Sequence, residues 1–599
     1  MEITKNFSVQ GIGCRPWLLI LIVFLFFSSS CRKDENTVQT NTVAAPEFKR
    51  PPAKPNPLSL RNIRGVKEKL LASGNAAARV LPPDIPDEQK LVYVKIDPAV
   101  ITTQMVSLLD EDTTITLLDF PFANGEIYEL SFGLNEQKAD SLKDGYLYAV
   151  LPIQNRIFSS LNIPFTRLDT LYKPVDEEDP LVGQALVEGG YITQEELNLR
   201  ICFRRPEGFV RYRDSDLGAN QPVIGMQVFA IAFGVPIHTY TNETGWFRIG
   251  WKFLFGSLIG TKAKNDRVNI KPVVTNGIWI ATIIPQFLVG SVHIHGMVSA
   301  CNINSININF NNHRQNRFWS HILNAVHFHD QFTAQDNILN APRKITIWAH
   351  WADNYGGASA PMLGHIPGSL LSLLTQYFSS LLGVDITNYQ NIFNVLIGGL
   401  PDITLRSGST DRVSYSPDLM QTAFHELGHA SHYRAAGNEW WKDLMWAEIF
   451  PNGNCGGYGC GNGKNDGLVQ LAESWAEFIG TTHALRRYPN SEMRAAFFQN
   501  IFNPEGFVRL DVALEDEDWF VNNWIPTGIF NDLRDAGGNP GEPWDNVQGA
   551  TIQQIFSPFD PTIRTPCDYY ARFTQLYWSI YGFQPVLDIF NNHGINCAL

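Results

Sequence analysis

The chain predicts a multidomain α+β protein, and three observations carry that expectation. Its 599 residues, 44% hydrophobic and 12% aromatic, are more than one hydrophobic core organises. From about residue 86 to 275 the apolar residues alternate with polar ones in short runs bounded by turn residues, the period of β-strands. From about 276 onward, apolar residues recur at helical spacing over long stretches. A net charge of −13 argues against a nucleic-acid partner.

The first 85 residues predict export and tethering. Lys5 and Arg15 precede an apolar run from Trp17 to Phe27 that is too short for a stable membrane span. The run ends in Ser28-Ser29-Ser30-Cys31, which resembles a bacterial lipobox, so residues 1–30 are expected to be a lipoprotein signal peptide and Cys31 the lipidated residue. Lys33-Asp34-Glu35 follow, similar to the signal by which certain Gram-negative bacteria send lipoproteins to the cell surface. The resemblance implies an outer-membrane, lipid-anchored protein displayed outward. Residues 31–85, with Pro51-Pro52-Ala53-Lys54-Pro55-Asn56-Pro57, are expected to form a semi-extended tether.

Residues 86–200 contain strands such as Leu91–Ile96 between acidic turns and predict an accessory α+β or mostly β domain. Residues 201–275 contain a strand over Gln221–Ala230 and a hairpin turning at Asn242–Gly245. This stretch resembles the carboxypeptidase-regulatory, transthyretin-like β-sandwich, which implies a spacer or binding module. Residues 276–599 form the remaining expected domain. A helix over about 313–340 is followed by a strand at Lys344–His350. Next come Gly356–Pro361, expected to include a strand at the edge of a cleft, and a strand near 402–406. Residues 490–599 read as mainly helical and aromatic.

The chemistry concentrates in His425-Glu426-Leu427-Gly428-His429. A spacing of four puts the two imidazoles about 40° apart on one helix face, where both reach one metal ion. Glu426 lies to the side as a candidate proton acceptor. Ser416-Pro417-Asp418 predicts the start of this helix and Gly437 its stop, with Met420, Phe424 and Leu427 as its buried stripe. A second helix from Asp466 toward Pro489 carries Leu468, Leu471, Trp475, Phe478 and Ile479 on one face and Glu473 and Glu477 on the other, beside Ala476 and Gly480. These small residues predict a close helix approach with two carboxylates aimed across it.

H-E-x-x-H followed by a glutamate on a second helix resembles the gluzincin branch of zincin-fold zinc metallopeptidases. The pattern of the metzincin branch fails, because His432 and Ala435 stand where it requires Gly and His. The gluzincin resemblance implies Zn²⁺ held by His425, His429 and Glu473, with Glu477 orienting a ligand histidine, although the usual residue there is Asp. It implies a mixed sheet beside the H-E-x-x-H helix, a helical lower subdomain, and peptide or protein substrates. The expected reaction is peptide hydrolysis by a zinc-activated water, with Glu426 as general base. Tyr458, His483 and Arg534 are candidates by position for stabilising the transition state. His432 shares the histidine face one turn on and is expected to pack or support rather than ligate.

Two further groups have ligand or disulfide chemistry. His293 and His295 are two apart on a probable strand and could bind a metal with His313, but no nearby carboxylate in sequence supports this, so strand packing is expected. If Cys14 leaves with the signal and Cys31 is lipidated, Cys202, Cys301, Cys455, Cys460, Cys567 and Cys597 remain for disulfides of open connectivity, with Cys455 and Cys460 bracketing a glycine-rich loop. The alternative to a surface endopeptidase is a surface lipoprotein that binds a glycan or protein, with a weakly active or non-peptidase zinc hydrolase domain.

Overall fold

The computed structural model describes residues 54–74, 84–101, 115–128, 133–155, 164–174, 176, 178–200, 202–274, 288–351, 358–366, 400–407, 416–449, 463, 465–489, 524–535, 546–547 and 549–597. The signal peptide, Cys31, most of the tether and the Cys455–Cys460 loop lie outside them. Within them the chain is a mixed α+β protein with several sheets. No helix among the described residues is long and apolar enough to cross a membrane.

The first unit is an antiparallel sheet in the order β2-β3-β1-β4, formed by β1 (Lys90–Ile96), β2 (Thr116–Leu118), β3 (Leu147–Pro152) and β4 (Phe165–Tyr172). Helix α1 (Leu60–Ala72) packs on it, with the short helices α2 (Glu136–Ser141) and α3 (Pro180–Glu188), and α4 (Gln194–Leu199) rests on α3 through Leu197 beside Gly183. Helix α1 corrects the expected tether boundary at residue 85. Leu60, Ile63 and Val66 recur at helical spacing and are buried, so the chain joins the core just past Pro57.

Two further sheets face each other. One contains β5 (Glu207–Asp214), β6 (Gly218–Pro222), β9 (Trp246–Arg248) and β13 (Ile306–Asn309). The other has the order β12-β10-β7-β8, from β7 (Gln227–Ala232), β8 (Val235–Tyr240), β10 (Ser257–Lys262) and β12 (Val292–Val298). Side chains on this second sheet alternate between two cores. Val228, Ala230 and Ile259 join the core of the facing sheet, whereas Phe229, Ile231, Leu258 and Ile294 join that of the first unit. The sheet is thus a wall shared by the accessory units.

The turn expected at Asn242–Gly245 is present, with Gly245 N donating to Asn242 O and Asn242 N to Trp246 O (2.9 Å each), but it crosses between sheets, since β8 pairs with β7 and β9 pairs with β5. The tight hairpin is β7–β8, turning at Phe233 (φ 50°) and Gly234 (φ 93°). Its Gly234 abuts the first unit so closely that a Cβ would lie 2.6 Å from the Ala123 Cβ. The expected break at 275 also moves. Strands β12 and β13 return to the sandwich, while β11 (Val268–Val274) pairs in parallel with β14 (Ile345–Trp351), which pairs in parallel with β15 (Ile403–Arg406). Strand edges are satisfied by chain from both sides of that position, so no clean cut exists there.

Helix α5 (Arg314–Gln335) lies between β13 and β14 in sequence and is buried over most of its length. Residues 358–363 run antiparallel along β15, with Ser359 N donating to Thr404 O (3.0 Å) and Thr404 N to Ser359 O (2.7 Å). The described part of the stretch expected to hold an edge strand, 358–361, thus meets β15 through one isolated bridge and forms no strand, and Gly356 and Gly357 lie outside the described residues. Helix α6 (Ser416–Ile449) and helix α7 (Asp466–Arg487) form the pair that carries the site. Beyond them come α8 (Ile529–Asp532), α9 (Ile552–Phe556), α10 (Pro566–Tyr581) and α11 (Phe583–Asn592), packed through Phe530, Phe559, Tyr569 and Phe590. Disulfides join Cys202 to Cys301 and Cys567 to Cys597.

Candidate metal centre

Helix α6 starts at Ser416, as expected, but the Ser416 hydroxyl does not cap it. Ser416 Oγ accepts from Ser215 N (2.9 Å) and lies 2.8 Å from His321 Nε2 on α5. The proline and early acid make the helix start locally, and Ser416 docks that start on its neighbours. Leu419, Met420, Ala423, Phe424 and Leu427 bury one face. At Gly437 (φ 81°, ψ 176°) the helix breaks and the chain resumes as a second helical segment. The expected stop is thus a kink, and the segment beyond it returns Trp441 to within 6.1 Å of the His429 ring, measured between ring centroids.

Helix α7 crosses α6 in the opposite sense, as three contact rungs show. Gly480 meets His425, Ala476 meets Gly428, and Trp475 donates through Nε1 to Gly428 O (3.2 Å) and reaches Ser431 Oγ (3.2 Å). A Cβ at Gly480 would lie 3.0–3.1 Å from the His425 Cβ, Cα and N, against backbone that cannot swing away. The close approach read from Ala476 and Gly480 is therefore present. We expect Gly480→Val to destabilise the fold by about 1–3 kcal/mol through overpacking. Urea denaturation checks this, and an unchanged midpoint would refute the tight rung.

This approach brings three ligand-type side chains together. Glu473 Oε2 lies 3.3 Å from His425 Nε2, and Glu473 Oε1 lies 3.4 Å from His429 Nε2. Two donors about 2.1 Å from one tetrahedral ion stand about 3.4 Å apart. The donor atoms of His425, His429 and Glu473 all fall within 4.8 Å of one another, so the trio could hold a metal ion. Glu473 Oε2 and Glu426 Oε2 are buried without a hydrogen-bond partner. Buried acceptors with nothing to accept are costly unless a cation completes them.

Glu477 sits behind the trio. Its Oε2 lies 3.1 Å from His425 Nδ1, and its Oε1 accepts from Gln421 Nε2 (3.1 Å) and Thr481 Oγ1 (3.2 Å). The glutamate is thereby fixed at one end and turns the opposite ring nitrogen of His425 toward Glu473. Burial disfavours a charged His425, but Glu473 and Glu477 outweigh it and raise its pKa well above the usual imidazole value. Burial likewise pushes the Glu473 carboxyl up, yet His429 and His425 hold it at about 2.

Glu426 is 4% exposed, and burial pushes its carboxyl up to about 7 against the opposing pull of His425 and His429. A divalent ion at the trio would draw it back toward the carboxylate. Glu448, on the segment past Gly437, is a further carboxyl raised well above its ordinary range, by burial and then by the charges of Glu473 and Glu426. Sequence reading did not find it, because only the Gly437 kink folds that segment back.

The remaining candidates separate. His432 packs against Trp440 and Phe559 at 4.6 and 4.3 Å between ring centroids, and burial lowers its pKa to about 3, so it is a packing residue. His483 is fully enclosed by the rings of His329, Phe332 and Phe424, with Asp336 3.8 Å away. It lies about 15 Å along the helix from Glu473, which sequence proximity alone conceals. Arg534 donates to Thr482 Oγ1 (3.1 Å) and lines a hollow of about 210 Å³ with Thr482, Leu485, Arg486 and Pro489, none of which belongs to the trio. Tyr458 lies outside the described residues. No protein-family model matches the chain, and no curated protein is detectably similar to it.

Proposed function

We propose that the protein is a zinc-dependent endopeptidase of the gluzincin kind, with a zincin-type catalytic region held at the bacterial surface through lipid on Cys31. The observation that carries this reading is the convergence of His425, His429 and Glu473 at ligand spacing, with Glu426 beside them presenting an unpartnered carboxylate oxygen. Two imidazoles and a carboxylate suit zinc and leave it a position for water or substrate. When bound there, zinc supplies Lewis acidity toward a carbonyl oxygen and makes water a nucleophile near neutral pH.

The side chains divide the remaining work. Glu426 takes the proton of the attacking water as the new C–O bond forms, then gives it to the amide nitrogen as the C–N bond breaks. With an ion at the trio, Glu426 is held as the carboxylate that can accept this proton. Glu477 fixes the tautomer and direction of His425. The segment 358–363, antiparallel to β15, supports an edge on which an extended peptide adds as a further strand.

Zinc content and casein cleavage by the chain from residue 36 onward test the reading. One zinc at this trio with cleavage that stops on chelation and returns with zinc is the expected result. Zinc with no hydrolysis of any protein or peptide panel would favour the binding-lipoprotein alternative. No zinc at the trio would end both. Glu477→Gln is expected to weaken zinc binding about 10–100-fold while the fold persists, because only the orientation and basicity of His425 change. A competition titration with a chromophoric chelator reads this, and an unchanged affinity would remove Glu477 from the proposal.

A further inference from the structure

We propose that Glu136, His293 and His313 form a second metal site, a structural zinc clip joining the first α+β unit, the sandwich wall and helix α5. Their donor atoms lie within 4.8 Å of one another. Glu136 Oε2 is 3.2 Å from His293 Nδ1 and 3.8 Å from His313 Nδ1, bracketing the spacing of about 3.4 Å between donors on one tetrahedral zinc. The two imidazole rings are 5.2 Å apart. The three residues come from three elements: the first residue of α2, strand β12, and the residue that precedes α5.

The backbone is built to hold them. Met297 N donates to Leu134 O (3.0 Å), pinning β12 to the start of α2. At Gly296 (φ 128°) a Cβ would lie 2.6 Å from that same carbonyl oxygen, so the approach requires glycine. His293 is 6% exposed and packed on Phe310 (5.1 Å), and Asn316 Nδ2, 3.2 Å from its Nδ1, holds the ring when no ion is bound. Glu136 and His313 are 42% and 46% exposed at the side chain, which leaves an entry path and room for water ligands.

His295, which lies two residues further along the same strand, does not join them. The β10–β12 register steps from Ile294 to Gly296, and this bulge breaks the alternation that would align His295 with His293. Glu136 supplies the missing carboxylate.

The clip reaches the candidate catalytic helix through α5, which meets α6 at His321–Ser416 (2.8 Å) and Phe332–Phe424 (6.2 Å). An ion here would stiffen the base on which α6 is seated.

Equilibrium dialysis of the full chain against micromolar zinc tests this, with metal counted by mass spectrometry. His313→Ala removes one ligand but no helix cap, because the His313 side chain makes no capping hydrogen bond. His429→Ala vacates the other centre. The expected counts are two zinc ions in the parent, one in each variant and none in the double variant. A His313→Ala protein that binds as much zinc as the parent would overturn the clip. If zinc survives His429→Ala and disappears with His313→Ala, the clip stands and the zinc peptidase reading fails. A second readout uses the His429→Ala protein, whose thermal midpoint chelator should lower by several degrees. Glu136→Gln should abolish that shift, and a shift that persists in this variant would also overturn the clip.

Discussion

Glu426→Gln is expected to leave zinc at the His425–His429–Glu473 centre and to lower peptide hydrolysis by about 10²–10⁴-fold. The substitution keeps the shape of a side chain that is 4% exposed and removes only its capacity to carry a proton. Its stability consequence has the opposite sign to its catalytic one. Glu426 Oε2 is buried without a partner, and a neutral amide is cheaper to bury than a carboxylate. The variant should therefore melt no lower than the parent. Zinc stoichiometry, casein cleavage and thermal melts on the same preparations decide it. Parent-level cleavage by the variant would remove Glu426 from the reaction.

Glu473→Ala is expected to weaken zinc binding by more than about 100-fold, beyond the usual effect of losing a residue that merely orients a ligand. The remaining imidazoles lose the carboxylate that both of them face at 3.3 and 3.4 Å. The metal-free protein should also change its pH dependence. Glu473 is depressed from 4.5 to about 2, so its stabilisation is complete above 4.5 and is lost as pH falls toward 2. His425 is raised from 6.5, so its contribution is complete below 6.5 and is lost as pH rises through the raised value. Both are full between pH 4.5 and 6.5, and the variant should lose most stability in that window. Urea melts of chelated proteins across pH check this. Parent-like zinc affinity in the variant would displace Glu473 from the ligand set.

Legibility followed the range of the interaction being read. The α6 and α7 faces were readable because helical period places His425 with His429 and Glu473 with Glu477 over four residues. The small residues facing them announced a close crossing, and the Gly480–His425 rung bears that out. The failures sit where the chain must travel. Gly437 looked like an end and is a kink, so Glu448 went unread. His483 was near in number yet lies on another stretch of α7, walled by aromatic rings. The first core recruited Leu60, Ile63 and Val66 from what composition presented as tether.

By itself, the sequence determined which donors exist and which pairs share a helix face, because those depend on bond geometry and a period of a few residues. Tertiary structure alone decided which faces meet. It set Glu473 against His425 and His429, and it joined Glu136 to His293 and His313 from elements far apart in the chain. It also made one sheet serve two cores. Such meetings depend on how buried apolar area is shared among whole elements, a sum over long-range contacts that no local stretch of sequence contains.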